Sequence, residues 1–170
     1  MTSPETVAYI SLGSNIAPQK NLAAAVKLLR QSCRVLAVSS AYITAPQGYT
    51  DQPDFYNMAV KVETVLTPAE FKLQVLDRIE AQLKRVRDPH NKNAPRTIDL
   101  DLSLWGDLSL DYGERPWHVP DKDIVRFAHV AVPLAEIAPD FVHPETGDTL
   151  SQIAARLGAS GLRRTPLSLD

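Results

Sequence analysis

Hydrophobic and polar residues alternate along the chain in a way that predicts several strands. Residues 7–12, 34–44 and 56–65 combine apolar and β-branched residues and end at turn or loop signals. The clearest alternation covers 97–104, followed by a turn and a short return strand at 108–110. One face of 97–104 is apolar and predicts a core face, made of Ile98, Leu100, Leu102 and Leu104.

A helix start signal follows the strand at 56–65. Thr67 can cap this helix, Pro68 suits its first turn, and Glu70 completes a capping box. Apolar residues then recur at helical spacing until Pro89 breaks the pattern. The spacing predicts a buried side made of Phe71, Val75, Ile79, Leu83 and Val86.

The remaining patterns predict an α+β fold. A helix is predicted over 18–32, short helical pieces over 124–138, and a last helix within 149–158. Strands and helices mix without regular βαβ alternation, so we expect a mainly antiparallel sheet with helices packed on its faces. No repeat or linker divides the sequence, which predicts a single domain over 1–170; the tail, 159–170, could be a disordered end outside the core or a surface clasp.

Composition narrows the classes of partner. The 170 residues carry a formal net charge of −2, which argues against a nucleic-acid coat or a binder of anionic membranes. The lone Cys33 has no partner for an intramolecular disulfide. The N-terminus lacks a secretory pattern, and no run approaches the ~20 apolar residues that span a bilayer. We therefore expect a cytoplasmic protein that binds neither nucleic acid nor membrane.

Two carboxylates share the polar face of the strand predicted over 97–104. Asp99 and Asp101 lie two residues apart, which places them roughly 6.6 Å from each other on a strand. Such a pair can bind one divalent cation, or two cations that both touch a polyphosphate, and Mg²⁺ favours sparse oxygen sites of this kind. The simpler alternative is a solvated face on which both acids point into water.

Arginines near this pair favour phosphate chemistry. Arg96 stands three residues before Asp99, and Arg85 and Arg87 end the preceding helix. Guanidinium groups beside metal-binding carboxylates stabilise charge on a transferring phosphoryl group. Taken alone, Arg85 and Arg87 could instead complement the dipole at the helix C-terminus. The sequence holds neither a P-loop nor a glycine-rich kinase loop, so ATP would need a site of another kind.

Five stretches of the chain occur in an order that resembles a known family. They are "AYISLGSN", "YITAPQGYTDQPDFYNMAV", "RVR", "PRTIDLDL" and "PLAEIAP". Together they resemble 6-hydroxymethyl-7,8-dihydropterin pyrophosphokinase of folate biosynthesis, over about residues 7–144. The resemblance implies a ferredoxin-like fold. It also implies transfer of the β,γ-diphosphate of ATP to the pterin hydroxymethyl group, with release of AMP and with two Mg²⁺ ions.

The same resemblance implies roles for individual residues. Asp99 and Asp101 would be the metal ligands, and Arg85 and Arg96 would bind triphosphate and stabilise transition-state charge. Glu80 falls where the family meets the adenosine of ATP. The residues implied for pterin binding are Asn15, Thr44, Ala45, Gln47, Phe55 and Asn57.

The side-chain chemistry of two of these residues is compatible with pterin binding. A flat pterin needs a polar amide for its edge and an aromatic ring for its face, which Asn57 and Phe55 would supply. Without the resemblance, a turn residue and a core aromatic would be the simpler interpretations.

The chain departs from the family pattern at three places. The loop "DPHNKNAPRT" has no aromatic residue and is one residue longer than the family's. Asp121 and Lys122 stand where an imidazole and a phenol usually lie near the phosphates; Lys122 could offset the added acid, and His118 could restore the imidazole. His129 lies close to the position of a pterin-stacking Phe, although a surface or core-edge histidine is the simpler interpretation.

These features leave three hypotheses open. The first is an active, monomeric pterin pyrophosphokinase that uses ATP and Mg²⁺. The second is the same reaction on a related pterin acceptor, and the third is a non-catalytic paralogue that binds pterin and nucleotide. A two-metal nuclease fits poorly, because the acidic balance offers little to a polynucleotide backbone.

Overall fold

An antiparallel sheet of six strands forms the centre of the computed structural model, which describes residues 4–46, 48, 50–86, 89–91 and 93–167. The order is β5-β1-β4-β3-β8, with β2 also paired to β4. The strands are β1 (Thr6–Ser14), β2 (Arg34–Val38), β3 (Ala41–Thr44), β4 (Phe55–Thr64), β5 (Asp99–Trp105) and β8 (Arg163–Thr165). A separate hairpin pairs β6 (Leu110–Tyr112) with β7 (Trp117–Val119). The predicted antiparallel α+β architecture is confirmed.

Helices cover both faces of this sheet. They are α1 (Pro18–Ser32), α2 (Pro68–Glu70), a π-helical segment (Phe71–Leu76), α3 (Asp77–Gln82), α4 (Ala128–Ile137) and α5 (Leu150–Leu157). A 3₁₀ turn at Lys122–Val125 precedes α4. The predicted capping box forms at Thr67, and a second one is present at Thr149, so these two residues fix where α2 and α5 begin. Among the residues described, no helix is long and apolar enough to cross a membrane.

Each face of the sheet has its own core. Alternation along β1 sends Ile10 to the side covered by α1 and the α2–α3 helix, where Leu22 and Phe71 are fully buried. The neighbouring Tyr9 packs on the other side with residues of α4 and α5, including Leu134. Burial of such a side chain contributes roughly 1.5–3 kcal/mol, so both faces fix the position of the central strands.

The prediction that the helix after Thr67 buries Val86, the last residue of its apolar side, is wrong. Val86 is 76% exposed, because the helix stops at Gln82 and Lys84 adopts a positive φ of 62° that turns the chain away. Leu76, outside the predicted stripe, is fully buried. Leu76 lies three residues before the buried Ile79, which places it on the same side of the helix, and the segment that contains it is π-helical.

The prediction that Ile98, Leu100, Leu102 and Leu104 share one face is also wrong, at Leu104. β5 pairs Leu102 with Ile10 and Leu104 with Tyr9, so Ser103 is an extra residue in a bulge. Leu104 therefore turns to the α4–α5 core, while Leu102 stays on the α1 side. The alternation up to the bulge is regular, and it keeps Asp99 and Asp101 on one side of the strand.

Two other strand predictions differ from the structure. The stretch 34–44 forms two strands, because Ser39 interrupts the ladder and its hydroxyl accepts a hydrogen bond from the N–H of Ala59. The strand predicted at 108–110 lies further along the chain as β6, which pairs with β7 rather than returning on β5. Within the tail, β8 pairs with the edge of β3. Residues 168–170 lie outside the described part.

Candidate functional site

Two cavities meet at the start of β5. The smaller has a volume of about 140 Å³ and lies between β1, the ends of β3 and β4, and the start of α4. The larger, a cleft of about 1180 Å³, runs between the α2–α3 helix, β5 and the β6–β7 hairpin. Asp99 lines both, so a group that transfers between occupants of the two cavities would pass this residue.

Asp99 lies between the two predicted arginines. Nη1 of Arg96 is 3.1 Å from Oδ2 of Asp99, and Nη2 of Arg85 is 3.9 Å from Oδ1. Both arginine side chains are largely buried, at 13% and 8% exposure, so solvent screens these ion pairs weakly. The structure thus brings together three of the four residues to which the sequence assigned catalysis, and both guanidinium groups are held at the junction.

Asp101, the fourth of these residues, opens onto the larger cleft. Burial raises its pKa well above the usual range, and neighbouring acids add to the shift. In decreasing order these acids are Asp99, Asp121 and Glu80, while Lys72 opposes them. By accessible area Asp101 is an exposed residue, because the cleft is open on its side, so the repulsion from the neighbouring acids is the firmer cause of the shift. A cation can therefore reach the carboxylate and relieve the repulsion.

The donor set suits a cation that brings most of its own ligands. Within the described ranges, no group of three or more His, Cys, Asp and Glu side chains is arranged to hold a metal ion. Two carboxylates on one strand leave the remaining positions to water and phosphate oxygens, as Mg²⁺ favours. Asp99 and Asp101 therefore fit magnesium that arrives with a nucleotide, and do not form a closed cage.

Glu80 is buried in the wall of the larger cleft. Its Oε2 accepts a hydrogen bond of 2.9 Å from the backbone N–H of Leu100, between Asp99 and Asp101. The resemblance implies an adenosine contact for this residue, which stays a prediction. Its hydrogen bond to Leu100 holds β5 against α3.

The smaller cavity is lined by an aromatic ring, an amide side chain and the end of a strand. Phe55 and Asn57, at the start of β4, line this cavity. Thr44, the last residue of β3, and Ala45, which follows it, line it as well. The Arg96 guanidinium lies over the Phe55 ring, 5.5 Å from its centroid. Nδ2 of Asn57 donates to the carbonyl of Tyr42 at 3.2 Å, which fixes the amide in the wall. Gln47 falls outside the described residues.

Asn15 holds two loops together and does not line this cavity. Its Oδ1 accepts from the backbone N–H of Arg96 at 2.9 Å. Its Nδ2 donates to Oε1 of Gln52 at 2.8 Å and to the carbonyl of Pro53 at 3.0 Å. Asn15 is 3% exposed, and its partly buried hydrogen bonds connect the turn after β1 to the segments that carry Phe55 and Arg96.

His118 lies on β7 at the edge of the larger cleft, with both ring nitrogens occupied. Nε2 is 2.6 Å from Oε2 of Glu145, and Nδ1 is 2.7 Å from Oδ1 of Asp111. These hydrogen bonds raise the pKa of His118, the bond to Glu145 contributing most. Lys122 also lines the cleft, at the start of the 3₁₀ turn that Asp121 caps. Burial raises the pKa of Asp121.

Sequence analysis missed part of the cleft wall. Lys72 pairs with Asp77 and places its Nζ 5.1 Å from the ring centroid of Trp117. Tyr112 packs against the same indole, with ring centroids 5.7 Å apart. The sequence pattern contains no signal that would bring a helix lysine to a distant hairpin, because that contact depends on how the hairpin docks.

Comparison with known proteins shows which family this sequence resembles over most of its length. Residues 9–139 match the family described as 7,8-dihydro-6-hydroxymethylpterin-pyrophosphokinase (HPPK). A protein of Pseudomonas aeruginosa named 2-amino-4-hydroxy-6-hydroxymethyldihydropteridine pyrophosphokinase is 37% identical over 161 residues, covering 93% of this chain and 96% of its own. A protein of the same name from Methylorubrum extorquens is 41% identical over 162 residues, covering 94% and 98%.

A solved structure supports the fold. Plasmodium falciparum HPPK-DHPS, wild type with pteroate, has a TM-score of 0.77 and 12% sequence identity over 96% of this chain. The present chain spans 48% of that longer one. At this identity the likeness establishes the ferredoxin-like α+β architecture alone.

Proposed function

This chain belongs to the HPPK family, and we propose that it transfers the β,γ-diphosphate of ATP to the hydroxymethyl group of 6-hydroxymethyl-7,8-dihydropterin. The products are AMP and the pterin diphosphate, as an ATP-dependent transferase of folate synthesis would form. The family match spans residues 9–139, which include both cavities' central residues.

The position of Asp99 supports this proposal most strongly. It borders the smaller cavity, which suits a pterin, and the larger cleft, which suits a nucleotide. Two guanidinium groups flank it. A phosphoryl group that moves from one occupant to the other would therefore meet positive charge where its own negative charge develops.

Asp99 and Asp101 are the residues that would hold magnesium, and we propose two ions for this pair. When bound, magnesium neutralises phosphate charge and makes a coordinated hydroxyl more acidic. The repulsion around Asp101 favours such binding, because a cation removes the cost of placing these carboxylates together.

The protein's own contribution is mainly to bind and orient the substrates. We propose that Arg85 and Arg96 bind the β- and γ-phosphates, and that Lys122 adds positive charge at the outer wall of the cleft. Asn57 would bind the pterin edge and Phe55 its face. Holding the hydroxymethyl oxygen in line with the phosphate supplies much of the rate enhancement, because a primary alcohol is a weak nucleophile.

His118 and Glu80 have supporting parts in this proposal. Glu80 fixes the strand that carries the metal ligands, and His118 holds the hairpin that forms the far wall of the cleft. That the enzyme is cytoplasmic and acts as a monomer stays a prediction.

The nucleotide product tests the proposed reaction. The purified chain is incubated with ATP, Mg²⁺ and 6-hydroxymethyl-7,8-dihydropterin, and nucleotides are separated by ion-exchange chromatography. We expect AMP to appear in equal amount to pterin diphosphate, with no ADP. Absence of AMP with Mg²⁺, Mn²⁺ and Co²⁺ alike would contradict the proposal. Calorimetric binding of both substrates in that case would identify a non-catalytic paralogue.

A further inference from the structure

A histidine with unused hydrogen-bonding capacity lines the smaller cavity. His129 is the second residue of α4, and its ring stacks on that of Phe127 with centroids 5.2 Å apart and planes inclined by 22°. Phe127 precedes α4 and contacts the Arg126 guanidinium at 5.2 Å. This stacking fixes the plane of the imidazole at the cavity wall.

The imidazole of His129 makes no hydrogen bond to the residues that the structure describes, although it is half-buried. Its neighbours in the cavity are already engaged: Asn57 donates to Tyr42, and Arg96 to Asp99. Neither ring nitrogen belongs to the buried polar atoms that lack a partner in the described residues, so water can reach both from the cavity. A ligand in the cavity can replace that water and bond to the imidazole.

The charge state of His129 suits a hydrogen bond more than an ion pair. Burial lowers the pKa of His129, and the charge of Asp123 opposes this shift. Asp123 itself faces Arg126 at 3.8 Å, and the other charged groups that line the cavity are Arg96 and Asp99. The ring is thus mainly neutral at pH 7, with one N–H donor and one nitrogen acceptor.

We propose that His129 determines specificity for the acceptor by hydrogen-bonding a polar group at the edge of the bound pterin. The inference rests on the proposed function, since it takes the smaller cavity as the acceptor site. A benzene ring at this position would stack equally well but would form no such bond. The chain therefore selects acceptors that present a ring nitrogen, carbonyl or hydroxyl toward the start of α4.

Substitutions that separate stacking from hydrogen bonding test this role. His129→Phe keeps an aromatic ring on Phe127 and removes both nitrogens. His129→Asn and His129→Gln place an amide near Nδ1 and Nε2 respectively. Binding of 6-hydroxymethyl-7,8-dihydropterin is measured by isothermal titration calorimetry, with a non-hydrolysable ATP analogue and Mg²⁺ present.

We expect the pterin Kd of H129F to rise about 5- to 10-fold, the effect of one lost neutral hydrogen bond. At least one of the two amide variants should regain half or more of that loss on a logarithmic scale. The Kd for the ATP analogue should stay within 2-fold in all variants, because the larger cleft does not include His129. In turnover, the acceptor KM should rise more than kcat falls.

A role in stacking alone gives a different pattern. H129F would then bind the pterin as tightly as the wild type or more tightly, and this result would overturn the proposal. So would failure of both amide variants to improve on H129F, or absence of pterin binding by the wild type. Wild-type AMP release is measured separately: its absence contradicts the proposed reaction, while the binding series still decides the role of His129.

Discussion

The carboxylate of Glu80 accepts a hydrogen bond from the backbone N–H of Leu100 at 2.9 Å. Leu100 lies between Asp99 and Asp101 on β5, the strand at the end of the sheet order. Its N–H faces outward from the sheet, where no further strand pairs with it in the described sheet. A helix side chain thus replaces a strand partner at the point that presents both carboxylates for which magnesium binding is proposed.

Removal of this contact should weaken both the fold and the reaction. Glu80→Ala leaves the N–H of Leu100 without its partner, so we expect the free energy of unfolding to fall by about 1–3 kcal/mol. Turnover should fall as well, because β5 no longer has a fixed position against α3. Urea denaturation and AMP release measure the two effects.

Glu80→Gln is the matched control for that experiment. Its amide oxygen can still accept from Leu100, so it should retain most of the stability that the alanine variant loses. An alanine variant as stable as the wild type would contradict the role assigned to Glu80.

Asn15 should matter through the loops that it connects. Asn15→Ala removes the acceptor for the Arg96 N–H and the donors to Gln52 and Pro53, and Asn15 itself is buried, so the free energy of unfolding should fall by about 1–3 kcal/mol. The acceptor KM should also rise, because Phe55 and Arg96 shift. Asn15→Asp keeps the acceptor and loses the donors, and should give an intermediate KM. A KM equal to the wild-type value in both variants would argue against this account.

His118 should make stability depend on pH. Its hydrogen bonds to Glu145 and Asp111 raise its pKa in the folded state. The resulting stabilisation is fully present below the unfolded pKa of about 6.5 and is lost as pH rises through the folded value. The stability difference between wild type and His118→Asn should therefore be larger at pH 5.5 than at pH 9.

NMR titration of His118 measures its pKa in the folded protein and so checks the cause of this pH dependence. Because the ring is 39% exposed, added salt should reduce the effect. Glu145→Gln should lower the pKa of His118 toward 6.5, since Glu145 is the main cause of the shift. A stability difference that grows with pH would contradict the assignment.

Repulsion around Asp101 predicts a gain in stability when that acid is removed. In EDTA at pH 7, Asp101→Asn should have a higher Tm than the wild type, because it no longer adds a carboxylate beside Asp99 and Asp121. Asp99→Asn should show no such gain, since it breaks the ion pair with Arg96. Equal Tm values for wild type and Asp101→Asn would show that the acids do not repel.

Local signals predicted most elements of the fold. The capping box at Thr67 and the period-two pattern over 97–102 depend on residues close in sequence, and both are confirmed. The bulge at Ser103 was not predictable from alternation, because it depends on the register with β1. The exposed position of Val86 follows from a helix end that propensity alone places too late.

The residues of the candidate site also differ in whether local sequence could predict them. The short motif around Asp99 allowed a prediction of Asp99, Asp101 and Arg96. Of these, Arg96 and Asp99 are three residues apart and form an ion pair. The bridging role of Asn15 and the contact of Lys72 with Trp117 involve segments far apart in sequence. Such contacts depend on tertiary packing, which no pattern within one segment reports.

The magnesium dependence of AMP release in Asp101→Asn tests the central claim most directly. If Asp99 and Asp101 hold the magnesium that accompanies ATP, this nearly isosteric variant should lose at least about 100-fold in kcat at saturating ATP and pterin. It should also need far more Mg²⁺ for half-maximal rate, while pterin affinity stays near the wild-type value. Wild-type turnover with an unchanged magnesium requirement in this variant would contradict the account.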